Sequence, residues 1–540
     1  MENSRSLKER KEDFVSGLTG SSIEEVYLVT LVSLVTYIAY YLIIVHERKR
    51  VNSIIFSIEF ILFWFGLLLS ITLYSDIPVK LIFSILVPSV TLALFSNKKT
   101  LKGNKIKSRK GHDKNRSHKI NFGNLSINDY MSKKNYITIY RSNMMIITCL
   151  AILAVDFKVF PRRFAKVETW GSSLMDLGVG SFVFSMGLVS IRTKLKARFN
   201  ENGSSQKEKK TVYSKFLKFL KKLRKSLLSS LVILIIGLLR LYFVKNLDYQ
   251  EHASEYGTHW NFFMTLGLLD PVVLILDSIF PFEVPVFVTG LVVSIIYEIL
   301  LNKNGLLEFI LLHPRDNLIT SNKEGIFSFI GYLSIFLTGQ SVGSILLPNF
   351  KTRLNVFRIS TKKEIINFYS SSVVVTGKDK KSYKNKVHQF FTVSATQGLF
   401  YFAIFYNVLF YSLYHYTNLN ISRRIANLLY VLWVVSYNLN FLLGFKFISK
   451  CFDAKIAEDT EMRNGSGTEE YTNVPYLIEA INANGLLVFL VANVSTGVIN
   501  MAMDTLDMSQ TSSVAVLVAY AFALALFSAL LHYKGIYIKL

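Results

Sequence analysis

The sequence predicts an all-α polytopic membrane protein with about thirteen transmembrane helices, and three observations predict it. Hydrophobic residues make up 51% of the 540 and the mean hydropathy is +0.35, which excludes a single water-soluble core. Apolar runs of about twenty residues, the length that crosses roughly 30 Å of hydrocarbon, alternate with charged segments. Aromatic residues reach 14%, as suits a chain whose Trp and Tyr sit at membrane interfaces.

Each span is an apolar run bounded by polar residues. The first three are expected at Glu25–Val45, Ser53–Tyr74 and Pro78–Phe95, separated by HERKR and YSDIPV. The fourth, Tyr136–Val155, stops at DFKVFPRRF, and the fifth, Ser172–Ile191, stops at RTKLKARFN. The sixth, Ser226–Phe243, follows KFLKFLKKLRK, and the seventh, Trp260–Phe280, follows NLDYQEHASEYGTH. The remaining spans are Val286–Leu301, Ile326–Leu346, Phe390–Tyr411, Ala426–Phe447, Pro475–Asn500 and Ser512–His532. The chain then reads as one integral membrane domain over residues 1–540 with basic loops at 97–135, 192–225 and 351–388.

The net charge of +24 fixes the expected orientation. The three basic loops and HERKR at His46–Arg50 all follow odd-numbered spans, so they share one side, and positive loops mark the cytosol. The N-terminal tail balances Arg5, Lys8, Arg10 and Lys11 against Glu2, Glu9, Glu12 and Asp13, so it can cross. A lumenal N-terminus and a cytosolic C-terminus follow from an odd span count.

Several function classes are disfavoured. The basic loops lack the interleaved aromatics of a stacking platform and any finger or helix-turn-helix pattern, so nucleic acid is not an expected partner and membrane lipid is. The first 24 residues are polar, without a cleavable signal, so the first span is expected to anchor the chain. Two cysteines, Cys149 and Cys451, form no disulfide framework. There is no CxxC or HxxxH pair, no phosphate loop and no internal repeat, so neither a metal nor a cofactor is expected.

One segment breaks the charge rule. Asp156–Gly171 (DFKVFPRRFAKVETWG) follows an even-numbered span yet carries Lys158, Arg162, Arg163 and Lys166 against Asp156 and Glu168. Pro161 ends any helix near Phe160 and leaves Arg162–Glu168 in a turn or short helix at the membrane surface. The following span carries Asp176 one turn inside, where an ionisable residue costs at least a few kcal/mol and marks either a functional site or an interhelical pair. Its Gly178, Gly180, Ser181, Ser185 and Gly187 serve close helix packing or the wall of an acyl channel. A second polar cluster on the same side, Asp248, Glu251, His252, Glu255, His259 and Asn261, lacks metal-ligand spacing. His259 there is a general base, a substrate ligand or a loop residue.

VDFKVFPRRFAKVETWGSSLMDLGVGSFVFSMGLVS resembles the signature of the GPI-anchored wall transfer protein and PIG-W family, the inositol acyltransferases of GPI-anchor synthesis. The likeness continues at DYQEHASEYGTHWNFF, NKEGIFSFIGYLSIFLTGQSVG, SRRIANLLYVLW and NANGLLVFLVANVSTGVIN, in the family's order over most of the chain. The resemblance implies a thirteen-span endoplasmic reticulum protein. It implies acyl-CoA as co-substrate and glucosaminyl-phosphatidylinositol as acceptor, the acyl group passing to the inositol 2-hydroxyl. Lys158 and the two long basic loops depart from the family pattern.

Because a thioester is already activated, such chemistry needs a base and a group to stabilise the oxyanion. Asp156, at the end of an apolar helix, is the expected base, with a pKa raised by desolvation. Lys166 is expected to return beside it across the Pro161 bend, as oxyanion stabiliser or as an ion pair that fixes the loop. Arg162 and Arg163 suit a phosphate in fork geometry or an interfacial anchor. Glu168, Asp176, His259 and Asn261 complete the expected substrate-binding set. The competing readings are a lipid or solute transporter and a membrane-bound O-acyltransferase of the histidine-dependent kind, which a span without a central His disfavours.

Overall fold

A backbone in hydrocarbon has no water to bond and satisfies its N–H and C=O groups internally, so the apolar runs fold as helices. The computed structural model describes residues 10, 13–14, 16–44, 53–103, 125–200, 212–246, 253–279, 286–350, 352–353, 361–366, 392–417, 419–463 and 474–538. The long helices are α1 (Ile23–Ile44), α2 (Ser53–Ile71), α3 (Pro78–Gly103), α4 (Asn135–Ala154) and α5 (Leu174–Asn200). They continue with α6 (Val212–Asn246), α7 (Phe262–Ile279), α8 (Val286–Lys303), α9 (Lys323–Leu346) and α10 (Ala395–Tyr416). The last are α11 (Leu428–Arg463), α12 (Tyr476–Ala483), α13 (Gly485–Ala502) and α14 (Gln510–Tyr533).

Among the described residues eleven helices are long and apolar enough to span a membrane, against the thirteen expected. The two that fall outside that set are still helices at the expected seventh and tenth positions. α7 contains Asp270, Pro271 and Asp277, and α10 is rich in Tyr. The expected single run Pro475–Asn500 divides at Asn484, whose Nδ2 donates to Ile536 O (2.9 Å) and whose Oδ1 accepts from Ile538 N (2.8 Å). That side chain fastens the C-terminal segment to the break. HERKR and most of the basic loops at 97–135 and 351–388 lie outside the described residues, as do residues 201–211 of the loop at 192–225 and Asp248, Glu251 and His252.

The most extensive helix pair is α5 with α9, and glycines permit it. A Cβ at Gly187 would lie 2.2 Å from Phe336 O, and one at Gly343 2.2 Å from Leu188 O, so backbone meets backbone. An acidic residue that sequence reading passed over, Glu59, lies buried at a π-helical stretch of α2. It accepts from the N–H groups of Tyr476 (2.9 Å) and Leu477 (2.7 Å), capping the positive end of α12.

The connections after even-numbered spans gather at one end of the bundle with the N-terminal segment. Ser21 N donates to Ser172 O (2.7 Å), Gly171 N to Ile421 O (2.8 Å) and Thr258 N to Ser321 O (3.0 Å), while Arg10 pairs with Asp507 (2.6 Å). At the opposite end Lys133 pairs with Glu479, and Ser132 bonds Asn349 (2.8 Å). The alternation inferred from charge thus reappears as two separate groups of loops.

Candidate active site

The turn between α4 and α5 is built by its own aromatic and basic residues. Phe157, Phe160 and Phe164 are fully buried, and a 3₁₀ turn (Arg162–Phe164) follows Pro161. Arg162 Nη2 donates to the carbonyls of Val155 (2.7 Å), Phe157 (3.2 Å) and Phe160 (3.0 Å), so this guanidinium clamps the bend. Burial lowers its pKa to about 10, against the opposing pull of Asp156. Arg163 bridges Glu25 (2.6 Å) and Asp76, tying the bend to α1 and to the α2–α3 turn. Burial works against its charge, but those two carboxylates outweigh it and raise its pKa.

That bend sends Lys166 back over the end of α4. Lys166 and Asp156 line one cavity of about 340 Å³, within the range of small-ligand sites. Its mouth, formed by the gathered loops and the helix ends beside them, is polar, with Asp156, Lys166, Glu168, Arg240, Glu255, Asn261 and Arg423. Its depth, between the helices, is mostly apolar, with Ile147, Ala151, Val179, Phe182 and Phe489, and Asn493 of α13 stands among them.

Lys166 does not take Asp156 as its ion-pair partner. Its Nζ lies 2.9 Å from Glu255 Oε1, whereas Asp156 Oδ2 accepts from Asn500 Nδ2 at 2.7 Å. Glu255 also accepts from Arg423 Nη1 (3.1 Å), and Arg423 Nε donates to Asp176 Oδ1 (2.6 Å). The result is a chain Lys166–Glu255–Arg423–Asp176 that runs from a 41% exposed lysine side chain inward to a 1% exposed aspartate. Burial alone would raise the Glu255 carboxyl, but Lys166 and Arg423 outweigh it and hold it at about 2. Burial likewise works against the charge on Arg423, and Glu255 with Asp176 reverses that and raises its pKa well above the ordinary arginine value.

Of the expected site residues, Asp156, Lys166, Glu168 and Asn261 line the cavity, and Arg162, Arg163, Asp176 and His259 do not. Arg162 and Arg163 are occupied by backbone carbonyls and by Glu25 and Asp76, which directs them to the loop rather than to an anion. Asp176 is buried behind Arg423, where it also accepts from Ser173 Oγ (2.7 Å) and Val167 N (3.1 Å). His259 turns its Nδ1 to Thr258 Oγ1 (2.8 Å), and its N–H bonds Asn322 Oδ1 (2.8 Å). Asn261 faces the cavity but its amide is taken by Gly237 O (2.8 Å), linking α6 to the start of α7.

Arg423, the centre of the network, was not in the expected set. It sits in SRRIANLLYVLW, where Asn427 Oδ1 accepts from Ser422 N (3.1 Å) and Tyr430 N (3.2 Å) and Ala426 adopts φ 47°. The adjacent Arg424 bonds Thr169 Oγ1 (3.2 Å) and Glu324 Oε1 (3.2 Å). Two arginines after an even-numbered span break the charge rule as Asp156–Gly171 does, and that signal could have found them.

The sequence model of the GWT1 family matches residues 7–531. The chain belongs to the GWT1 family. It is 42% identical to GPI-anchored wall transfer protein 1 of Candida albicans, over 99% of this chain and 100% of that protein. The protein of the same name from Debaryomyces hansenii is 44% identical over 99% and 100%, and that from Saccharomyces cerevisiae 42% over 99% of each chain. The likeness therefore includes every element of the cavity.

Proposed function

We propose that this protein acts in GPI-anchor biosynthesis as an O-acyltransferase, moving a long-chain acyl group from acyl-CoA to the inositol 2-hydroxyl of glucosaminyl-phosphatidylinositol. The observation that carries the reading is the cavity's division into a charged mouth and an apolar depth. An amphipathic donor fits it, thioester at the charges and hydrocarbon below. Asp156, oriented by Asn500, takes the proton of the attacking hydroxyl with its carboxylate. Lys166, held by Glu255, faces the oxyanion of the tetrahedral intermediate, which collapses to the ester as CoA thiolate leaves. With Arg162 and Arg163 occupied in the loop, Arg240 at the mouth is the cation available to a phosphate of either substrate.

The test is transfer of radiolabelled acyl from acyl-CoA to glucosaminyl-phosphatidylinositol by purified protein. Acceptor movement without a covalent product would support the transporter reading instead. Transfer is direct, because the nearer of the two thiols in sequence, Cys149, is buried seven residues before Asp156, about 10 Å along α4 and too far to lose its proton to that carboxylate. Cys149→Ala should keep near-normal turnover, and mass spectrometry of enzyme incubated with acyl-CoA alone should find no protein-bound acyl group. Stoichiometric acylation chased off by acceptor would overturn direct transfer.

In this reading the protein resides in the endoplasmic reticulum membrane with the gathered even-numbered loops and the N-terminus in the lumen. Asn420 of the sequon NIS is exposed at that end, close to the membrane. A glycan is expected at Asn420 if at any site, and at neither Asn115 nor Asn202. Endoglycosidase-sensitive mass at Asn115 or Asn202 would reverse the orientation.

A further inference from the structure

Three glycines of α5 carry unequal burdens. A Cβ at Gly180 would lie 2.6 Å from Val434 Cγ2, and one at Gly187 2.2 Å from Phe336 O, so those two are small because a neighbouring helix occupies the space. A Cβ at Gly178 would meet only Thr148 Oγ1, at an ordinary 3.5 Å, with nothing else within 4 Å. Packing therefore does not explain the third. Space does.

That space is shared by two compartments. A smaller cavity of about 40 Å³ lies between α1, α4, α5 and α11, and it has Ile147, Thr148, Leu174 and Gly178 in common with the large one. On α4 the lining steps from Ala151 and Ile147 to Met144 and Tyr140, successive turns of one face. Ile147 to Tyr140 is seven residues, about 10 Å further from the charged mouth. Phe441 and Phe445 of α11 and Leu177 of α5 line the deeper space, while Ser181 Oγ and Asn143 Oδ1, buried and without a hydrogen-bond partner among the described residues, stand at its wall.

We infer that the small cavity is the terminal part of the acyl subsite and that Gly178 is a specificity-determining residue, its missing side chain leaving the passage open to the end of a long acyl chain. The inference rests on the acyl-transfer reading and adds a chain-length ruler to it. Thr148 stands beside Gly178 on the same wall, 3.5 Å from where a Cβ at position 178 would lie, its hydroxyl fixed on Met144 O (2.8 Å). An isobutyl group at position 178 would fill the junction from α5 and leave the charged mouth unaltered.

Initial rates with decanoyl-, lauroyl-, myristoyl-, palmitoyl- and stearoyl-CoA, on purified wild type, Gly178→Leu and Gly180→Ala, test it. For Gly178→Leu the ratio of kcat/KM for palmitoyl to that for decanoyl should fall about tenfold or more, roughly what two buried methylenes are worth. The ratio cancels the fraction of active protein, so a poorly folded preparation does not imitate the effect. Gly180→Ala should give less folded protein and an unchanged ratio. An unaltered ratio in Gly178→Leu, or an equal shift in Gly180→Ala, overturns the ruler. No transfer from any donor by wild type defeats the acyl-transfer reading itself, a separate outcome.

Discussion

Replacing Asp156 by Asn should lower acyl transfer by on the order of a hundredfold or more while leaving the amount of folded protein near that of wild type. The amide keeps the shape of the carboxylate and can still meet Asn500, but it cannot accept the inositol proton. Because Asp156 is at the end of α4 and half-buried at the cavity, the substitution removes no packing. Lys166→Ala should give a loss of similar size for a different reason, the absence of a cation facing the oxyanion. Single-turnover rates on purified variants, with size-exclusion profiles to establish folding, separate chemistry from stability. Near-normal turnover by Asp156→Asn would remove the base from the mechanism. The same result for Lys166→Ala would leave its pair with Glu255 as a tie between two loops.

The fold was legible because hydrocarbon imposes a simple rule on sequence. Length and apolarity located the apolar stretch of each long helix, although α3, α5, α6 and α11 continue well past the expected bounds into their basic flanks, and the uneven placement of Lys and Arg sorted the connections into the two groups that now sit at opposite ends. Two features escaped that rule. The break at Asn484 is set by side-chain bonds to Ile536 and Ile538, residues about fifty positions away in sequence, and no local signal announces it. Glu59 reads as a blemish in an apolar run until α12 is packed against it.

The site was legible in part for the same reason. Charges where topology disfavours them pointed to Asp156 and Lys166, which do share a cavity. What sequence could not supply was who pairs with whom. Lys166 was expected to meet Asp156 because ten residues and a proline separate them, yet Glu255, eighty-nine residues on, takes that place. The arginine pair Arg162–Arg163 looked free to bind phosphate because nothing in the sequence reveals that three carbonyls, Glu25 and Asp76 already hold it.

The second large effect is expected at Arg423, which pairs with two carboxylates. Its side chain is 4% exposed and lies between Glu255 at 3.1 Å and Asp176 at 2.6 Å. Arg423→Met keeps much of the apolar stem but leaves two carboxylates facing each other without the intervening charge. Breaking a buried pair from one side costs about 3–5 kcal/mol, enough to unfold a marginally stable protein. The loss should appear as a large fall in the thermal midpoint measured in detergent. Adding Asp176→Asn to Arg423→Met should recover part of it, since the second change removes a charge that the first left stranded, and this non-additivity is the signature of a shared network. Acid should act in the same direction. Glu255 is held at about 2 against an ordinary value of 4.5, so its contribution is complete above that ordinary value and fades as pH falls toward 2. In Arg423→Met one of the three cations holding Glu255 down, Lys166, Arg423 and Arg240, is gone, so the variant's stability should depend less on pH across that window than wild type's. A variant with an unchanged midpoint and the wild-type acid profile would mean that Asp176 and Glu255 find other partners and that the chain from Lys166 inward is not a single unit.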